Sequence, residues 1–148
     1  MKLSENFTLE ELLFSTAAVT KGIGNKPNDI AIGKLKDLCV NILQPLREYL
    51  GEPLKIYSGF RSQLLNAAVG GANSSQHLYG EAADIGCGKR NAEIFKYIKK
   101  NLDYDQLIWE FGDSKQPDWI HVSFRREIGR KQSLKAQKIK GKTVYTPL

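Results

Sequence analysis

Two histidines with nearby carboxylates are the residues of this chain best suited to catalysis. His77 and His121 are the only histidines among its 148 residues. Asp84 follows the first histidine by seven positions, and Asp118 precedes the second by three. Two imidazole nitrogens and one carboxylate oxygen are a common ligand set for a catalytic zinc, with the fourth position left to water. The sequence therefore predicts one zinc ion per chain, held by His77, Asp84 and His121.

Other interpretations of these residues stay open at the level of sequence. A histidine taken alone is more often an unrelated core or surface residue than a ligand. Cys87, three residues after Asp84, would close the site as a fourth ligand and make the zinc structural. We favour the open site because Gly86-Cys87-Gly88 has the composition of a turn that leaves a strand. Two histidines and a carboxylate also accept manganese or cobalt, so the ligand set alone does not select zinc.

Strand periodicity explains how His121 and Asp84 would meet. In segment 119–124 the apolar residues alternate with His121, which therefore points away from an apolar face. Asp84 alternates with Ala83 and Ile85 in the same way. Two such strands side by side would present an imidazole and a carboxylate to one cleft. His77 would enter that cleft from the loop before the second strand.

Asp118 and Arg61 are the candidates for proton transfer and charge stabilisation. Asp118 cannot share the face of His121 in a regular strand, so we expect it in the turn made by Pro117. A carboxylate beside a metal-bound water can take its proton and pass it to a leaving amine, which predicts Asp118 as the general base. Arg61, at the end of a predicted strand, would bind a carboxylate or stabilise a developing oxyanion. The alternatives are a turn-initiating aspartate and a structural salt bridge.

Capping and periodicity signals predict the elements that position these residues. Thr8 caps a short helix over 9–14. Apolar residues at three- and four-residue steps predict a long helix over 29–50, bent at Pro45 and ended by Gly51. We also predict helices capped by Ser62 and Asn91, and strands over 54–58, 81–85, 106–111 and 119–124. In the strand over 106–111, alternation places the apolar residues Leu107, Trp109 and Phe111 on the same face.

Composition indicates a globular protein rather than a membrane, fibrous or disulfide-stapled one. Hydrophobic residues make up 41% and charged residues 26% of the chain, which is ordinary for a soluble domain. No stretch approaches the roughly 18–20 apolar residues of a membrane span. Two cysteines are too few for a disulfide framework. The N-terminus lacks the features of a signal peptide, so we expect synthesis in the cytoplasm and a separate route of release for any action on a cell wall.

Positive charge is concentrated at the end of the chain. The formal net charge is +6, and residues 125–148 carry net +7, which leaves −1 for residues 1–124. We predict one catalytic domain over 1–124 and a basic extension over 125–148, partly flexible or forming a hairpin around Gly141. Such a tail would suit anionic cell-wall polymers. No nucleic-acid motif or interleaved aromatic pattern accompanies it, so specific nucleic-acid binding is not predicted.

Three motifs in order resemble those of the zinc D-alanyl-D-alanine peptidase family: Ser58-Gly59-Phe60-Arg61-Ser62, Ser75-x-His77-x-x-Gly80-x-Ala82-x-Asp84 and Asp118-Trp119-Ile120-His121. This family includes D-Ala-D-Ala carboxypeptidases, dipeptidases and phage endolysins that cut peptidoglycan peptides. The resemblance implies an α+β fold shared with the Hedgehog signalling domain. In that fold, helices pack on one side of a small, mostly antiparallel sheet, and the zinc cleft lies on the other side.

The resemblance also implies roles for residues of this chain. By position, the zinc ligands would be His77, Asp84 and His121. Asp118 would be the catalytic base. Arg61 would bind the substrate or stabilise the transition state, and Ser75 would be a further substrate contact. The implied function is a zinc metallopeptidase that hydrolyses peptidoglycan stem peptides, as endopeptidase or D-Ala-D-Ala carboxypeptidase, in phage-encoded lysis or in wall remodelling. The carboxypeptidase branch often has another histidine shortly before the base, where this chain has Gln116 and Pro117. The alternative is a non-catalytic, metal-containing cell-wall-binding module of the same fold.

Overall fold

A computed structural model describes residues 1–127 and 129–148 of the chain. Among these residues the strands are β1 Lys2–Ser4, β2 Phe7–Thr8, β3 Lys55–Ser58, β4 Ala82–Gly86, β5 Gln106–Glu110, β6 Trp119–Ser123, β7 Gln132–Ile139 and β8 Lys142–Pro147. β1 and β2 form a small separate pair, and the others form one large sheet in the order β3-β4-β6-β5-β7-β8. Neighbouring strands of the large sheet are antiparallel except β5 and β7, which are parallel. The predicted α+β class with a mostly antiparallel sheet is thereby confirmed.

In the part of the chain that the structure describes, six α-helices accompany the sheet: α1 Leu9–Leu13, α2 Thr16–Lys21, α3 Asp29–Leu38, α4 Gln44–Leu50, α5 Gln63–Ala68 and α6 Asn91–Asn101. The predicted caps Thr8 and Ser62 accept hydrogen bonds from amides three residues on, at 3.3 Å in both cases. The sequence analysis missed α2. Its signals were Ser15, whose hydroxyl accepts from the Ala18 amide, and the left-handed Gly22 that ends it.

The long predicted helix forms as α3 and α4 joined by a π-helical segment, Cys39–Leu43. Proline has no amide to donate to the carbonyl four residues earlier, and the wider π turn lies directly before Pro45. Gly51 ends the helix in the left-handed region at φ 69°, as predicted. The inner side of this helix is fully buried at Leu35, Leu38, Ile42, Leu43 and Leu46.

One face of the sheet packs on the helices and the other carries the polar residues. The core face consists of alternating apolar residues from the three central strands: Ala83, Ile85, Leu107, Trp109, Ile120 and Val122. Asp84 and His121 lie on the opposite face, as strand alternation predicted. The predicted helix-on-one-side arrangement therefore follows from the period of two in these strands.

Two details of the predicted elements are wrong. Phe111 does not continue the core face of β5, because it follows the strand at φ 55° and packs its ring against Trp119, with centroids 5.4 Å apart. Asn91 does not cap α6, because Arg90 occupies the cap. The Asn91 side chain instead accepts from the Cys87 amide and donates to the carbonyl of Asp118.

The basic C-terminal segment continues the sheet. β7 pairs in parallel with β5, and β8 folds back on β7 through a turn at Lys140 and Gly141, both at positive φ. Such left-handed turns match the twist of paired strands. The division into units at residue 124 stays a prediction. In the described residues no helix has the length and apolar character needed to cross a membrane.

Candidate metal centre

The pairing of β4 with β6 brings the first two candidate ligands together. Asp84 lies directly opposite His121 in the antiparallel register. Directly opposed side chains project from the same face of a sheet. The Asp84 Oδ1 atom is 3.2 Å from His121 Nδ1. This contact joins residues 37 positions apart in sequence, and it depends on the register alone.

His77 reaches the same carboxylate from a 3-10 turn, Gln76–Tyr79. Its Nδ1 lies 2.7 Å from the Gly59 carbonyl oxygen, and that carbonyl can only accept, so Nδ1 carries the proton. The free nitrogen, Nε2, points to Asp84 Oδ1 at 3.3 Å. Gly80 ends the turn at φ 77°, where a side chain would collide with the Ala31 carbonyl. Glycine is therefore needed where the chain turns back into β4.

These three side chains have the geometry of a zinc site. Nitrogen and oxygen ligands lie about 2.0–2.1 Å from zinc in a tetrahedral site, so neighbouring ligand atoms are roughly 3.3 Å apart. The two measured separations, 3.2 and 3.3 Å, match that value. All three ligand atoms lie within 4.8 Å of one another. The donor set of His77, Asp84 and His121 fits one zinc ion, with room for a further ligand.

The alternatives raised by the sequence do not fit this geometry. The two imidazole rings are 5.2 Å apart, so they are not unrelated histidines. The Cys87 thiol contacts Glu52 Oε1 at 3.4 Å, and it does not join the metal-binding group found among the described residues. A closed site with four protein ligands is therefore not formed by Cys87.

Electrostatics at the centre favour an ionised carboxylate. Burial acts to raise the pKa of Asp84, but the charges and hydrogen bonds of His77 and His121 outweigh it and hold that pKa well below its usual range. Burial lowers the pKa of the Arg61 guanidinium, and the nearby charge of Asp84 opposes this. The charge of Asp84 thus favours the charged form of Arg61.

The surroundings of Arg61 leave its guanidinium available. Its amide donates to the His77 carbonyl at 3.0 Å, which fixes the backbone beside the candidate ligand. Its Nε is buried and has no hydrogen-bond partner within residues 1–127 and 129–148. In the same residues no carboxylate lies within ion-pair distance of it, which argues against the structural salt bridge.

Ser75 and Asp118 adjoin the segments that carry the two candidate histidine ligands. The Ser75 hydroxyl accepts from the His77 amide at 3.2 Å and caps the 3-10 turn. Asp118 lies just before β6 with its carboxylate exposed, in the turn where it was expected. Its amide donates to the Glu110 carbonyl at 2.9 Å and its carbonyl accepts from Asn91. The backbone of Asp118 is thus fixed from two sides, while its side chain has no hydrogen-bond or ion-pair partner within residues 1–127 and 129–148.

Glu110 is an acidic residue on the same face of the sheet as Asp84 and His121, and it was not predicted from the sequence. It alternates with Trp109 in β5, and it pairs in register with Trp119, two residues from His121. Only 8% of it is exposed. Burial, together with the charge of Asp84, raises the pKa of Glu110 to about 7. The alternation of β5 could have identified it. Glu110 points away from the face of Leu107 and Trp109 and therefore towards the face that carries Asp84 and His121.

Comparison with known proteins gives two matches. A family model described as Peptidase M15 matches residues 5–123. The zinc D-Ala-D-Ala carboxypeptidase of Streptomyces albus G is 36% identical over 82 residues, which cover 55% of this chain and 32% of that protein. The match therefore spans about a third of the length of this curated relative. The family match includes all three candidate ligands and ends before β7.

Proposed function

Because this chain belongs to the Peptidase M15 family, we propose that it is a zinc-dependent metallopeptidase that hydrolyses peptide bonds of peptidoglycan stem peptides. The observation that carries the proposal is the convergence of His77 Nε2, Asp84 Oδ1 and His121 Nδ1 at separations suited to one zinc ion. These three residues are the proposed ligands. The named activity of the Streptomyces relative supports the substrate class.

A zinc ion held there would supply Lewis-acid chemistry, polarising the scissile carbonyl and making water more acidic. The chain supplies the remaining functions. Asp118 is the proposed base: it takes a proton from the attacking water and delivers it to the leaving amine as the C–N bond breaks. Its exposed carboxylate on a fixed backbone suits that task. Arg61 is proposed to bind a substrate carboxylate or the developing oxyanion, since its buried Nε lacks a partner among the described residues.

The bond that is cleaved belongs to the finer part of the proposal. The relative's name supports a D-Ala-D-Ala carboxypeptidase, and an endopeptidase is the second candidate. Gln116, where carboxypeptidase relatives often have a histidine near the base, accepts from the Ala92 amide and donates to the Lys89 carbonyl. Because these two hydrogen bonds engage the Gln116 side chain, it is not free to contact substrate, which favours the endopeptidase. Ser75 is retained as a candidate substrate contact.

The C-terminal hairpin provides the proposed contact with the wall. Tyr145 of β8 lies opposite Ala136, which in turn lies opposite Glu110, so all three share the metal face. Burial and the charges of Glu110 and Asp84 raise the pKa of Tyr145. We propose that this hairpin lines the substrate cleft and that its lysines contact anionic wall polymers. A phage or prophage role in lysis would fit such contacts.

The experiment that tests the function is mass spectrometry of peptidoglycan digests made with and without a zinc chelator. We expect chelator-sensitive release of defined peptides, whose masses identify the bond. Intact peptidoglycan after incubation with the zinc-loaded protein would instead favour the non-catalytic alternative, a metal-containing wall-binding module.

A further inference from the structure

His121 has one ring nitrogen that the ligand set leaves unused. Its Nδ1 faces Asp84, and its Nε2 is buried without a hydrogen-bond partner among the described residues. When Nδ1 is a metal ligand, Nε2 must carry the ring proton. A buried N–H without an acceptor costs about 1–3 kcal/mol, so this nitrogen needs a partner.

Glu110 offers an acceptor on the same face of the sheet. The residue is 8% exposed. Within residues 1–127 and 129–148 its carboxylate makes no hydrogen bond or ion pair. Its oxygens are not among the fully buried side-chain atoms that lack a partner, so this carboxylate is available as an acceptor rather than orphaned. His121 thus has a buried donor without a partner, and Glu110 has an acceptor that no described residue uses.

The sheet register makes the two residues diagonal neighbours. His121 pairs with Ile108, and Glu110 is two residues further along β5, on the same face. β6 lies between β4 and β5, so His121 has Asp84 directly beside it on one strand and Glu110 diagonally placed on the other. Diagonal neighbours of a sheet are within reach of long side chains such as glutamate. The two side chains are not in hydrogen-bond contact, so the contact requires the Glu110 side chain to turn towards His121. Alternative acceptors are less suitable, since Asp118 is exposed in the turn.

We propose that Glu110 is a positioning residue whose carboxylate turns to accept the Nε2 hydrogen of His121 when zinc is bound, and so orients this imidazole as a zinc ligand. The inference rests on the proposed function, because it assumes that His121 binds zinc. Histidine ligands commonly donate their second N–H to a carboxylate, and loss of such a partner lowers metal affinity about 10- to 100-fold. His77 has the equivalent partner in the Gly59 carbonyl.

The first test is zinc affinity, measured by competition with a chelating dye. Glu110→Ala should weaken zinc binding about 10- to 100-fold. Glu110→Gln should lose less, because its amide oxygen still accepts a hydrogen bond. Asp103→Asn, which removes an exposed carboxylate just before β5, is the matched control and should stay within about twofold of the native protein.

The second test separates this role from a merely structural one. Glu110 has no partner among the described residues, so Glu110→Ala should leave the metal-free protein about as stable as before, while zinc binding weakens. In nitrogen-15 spectra of histidine-labelled, zinc-loaded protein, Glu110→Ala should abolish the protected Nε2–H signal of His121 only. The Nδ1–H signal of His77 is the internal control.

Each result decides between the inference and the proposed function. Zinc affinity that does not change in Glu110→Ala, or an unchanged His121 signal, overturns the inference and leaves the zinc site standing. If Glu110→Ala and Glu110→Gln lose the same amount of zinc affinity, the charge of Glu110 acts rather than its hydrogen bond. That result also overturns the inference. If the native protein binds no zinc, both fail. If zinc binding depends on Glu110 but the protein hydrolyses no peptide, the inference is supported and only the proposed peptidase function fails.

Discussion

At the scale of single residues, the centre depends on which atom of each side chain is already engaged. The Gly59 carbonyl occupies Nδ1 of His77 and leaves Nε2 for the metal. His121 uses the opposite nitrogen, because β6 presents its Nδ1 to Asp84. One carboxylate oxygen therefore meets two different imidazole nitrogens. The backbone around each histidine therefore decides which of its ring nitrogens faces Asp84.

Asp118→Asn tests the proposed base at this scale. An amide cannot accept the proton from water, so turnover of a peptide substrate should fall about 10²- to 10⁴-fold. Zinc content should stay at one ion per chain, since Asp118 is not a proposed ligand. The measurements are amine release and metal analysis on the same sample. Asp103→Asn serves as the control, and native turnover in Asp118→Asn would refute the assignment.

At the scale of elements, the site depends on close packing between the β3 exit and α1. The Gly59 backbone approaches α1 so closely that an added Cβ would collide with the Leu12 carbonyl oxygen. The next amide, that of Phe60, donates to the same oxygen at 2.9 Å. The glycine of the Ser-Gly-Phe-Arg motif is therefore needed for this approach, and the same segment supplies the acceptor for His77.

Gly59→Ala should consequently affect both stability and the metal. We expect the free energy of unfolding to fall by about 1–3 kcal/mol, the usual cost of overpacking. Zinc affinity should fall as well, because the Gly59 carbonyl moves away from His77. Urea unfolding and dye competition measure the two effects. Gly33→Ala is the control, since no atom lies within 4 Å of its added Cβ; equal behaviour of the two variants would contradict the expectation.

A second element-level feature is the buried carboxylate of Asp105 at the start of β5. It accepts from Arg130, at 2.9 Å from Nη2, and from Gln76 Nε2 at 2.9 Å. Gln76 is the neighbour of His77, so the network ties β5 to the turn that carries a candidate ligand. Burial acts to raise the pKa of Asp105, but the hydrogen bonds from Arg130 and Gln76 outweigh it and lower that pKa to about 2.

Asp105 should make stability depend on acid pH. Its folded pKa lies below the unfolded value of about 3.9, so its contribution of about 2 kcal/mol is present above pH 4 and is lost as the pH falls towards 2. Asp105→Asn should lower the free energy of unfolding by about 3 kcal/mol at neutral pH. The difference from the native protein, followed by urea unfolding, should shrink below pH 4. A constant difference from pH 7 to pH 2 would exclude this origin.

At the scale of the whole molecule, one sheet separates two environments. Its core face packs on the helices, and its other face carries the candidate centre and extends into the basic hairpin. A metal bound on that face would join β4, β6 and the turn of His77. Metal binding is therefore expected to stabilise the folded protein.

Zinc should raise the thermal stability of the native chain. Free zinc at one hundred times its dissociation constant stabilises a folded protein by about 2.7 kcal/mol when the unfolded chain does not bind it. We expect an upward shift of the melting temperature on adding zinc and its reversal by a chelator, followed by calorimetry. His121→Ala should melt at the same temperature with and without zinc. A native melting temperature that ignores zinc would count against the site.

Much of this arrangement could be predicted because it depends on local rules. The caps Thr8 and Ser62, the glycine end of the long helix and the alternating strands depend on neighbouring residues, and the structure confirms them. The motifs also selected His77, Asp84 and His121 as a set. Their predicted functions, like those of Asp118, Arg61 and Ser75, stay proposals.

The side chains that share a face could be identified from the order of residues, because alternation and helical period are properties of consecutive residues. Which of these faces meet depends on how distant strands pair in the folded protein. The register of β4 with β6 brought Asp84 to His121, and that of β5 with β6 placed Glu110 beside them. The parallel pairing of β7 with β5 likewise joined the basic segment to the sheet. Pairing between distant strands depends on packing over the entire core, which no local pattern encodes.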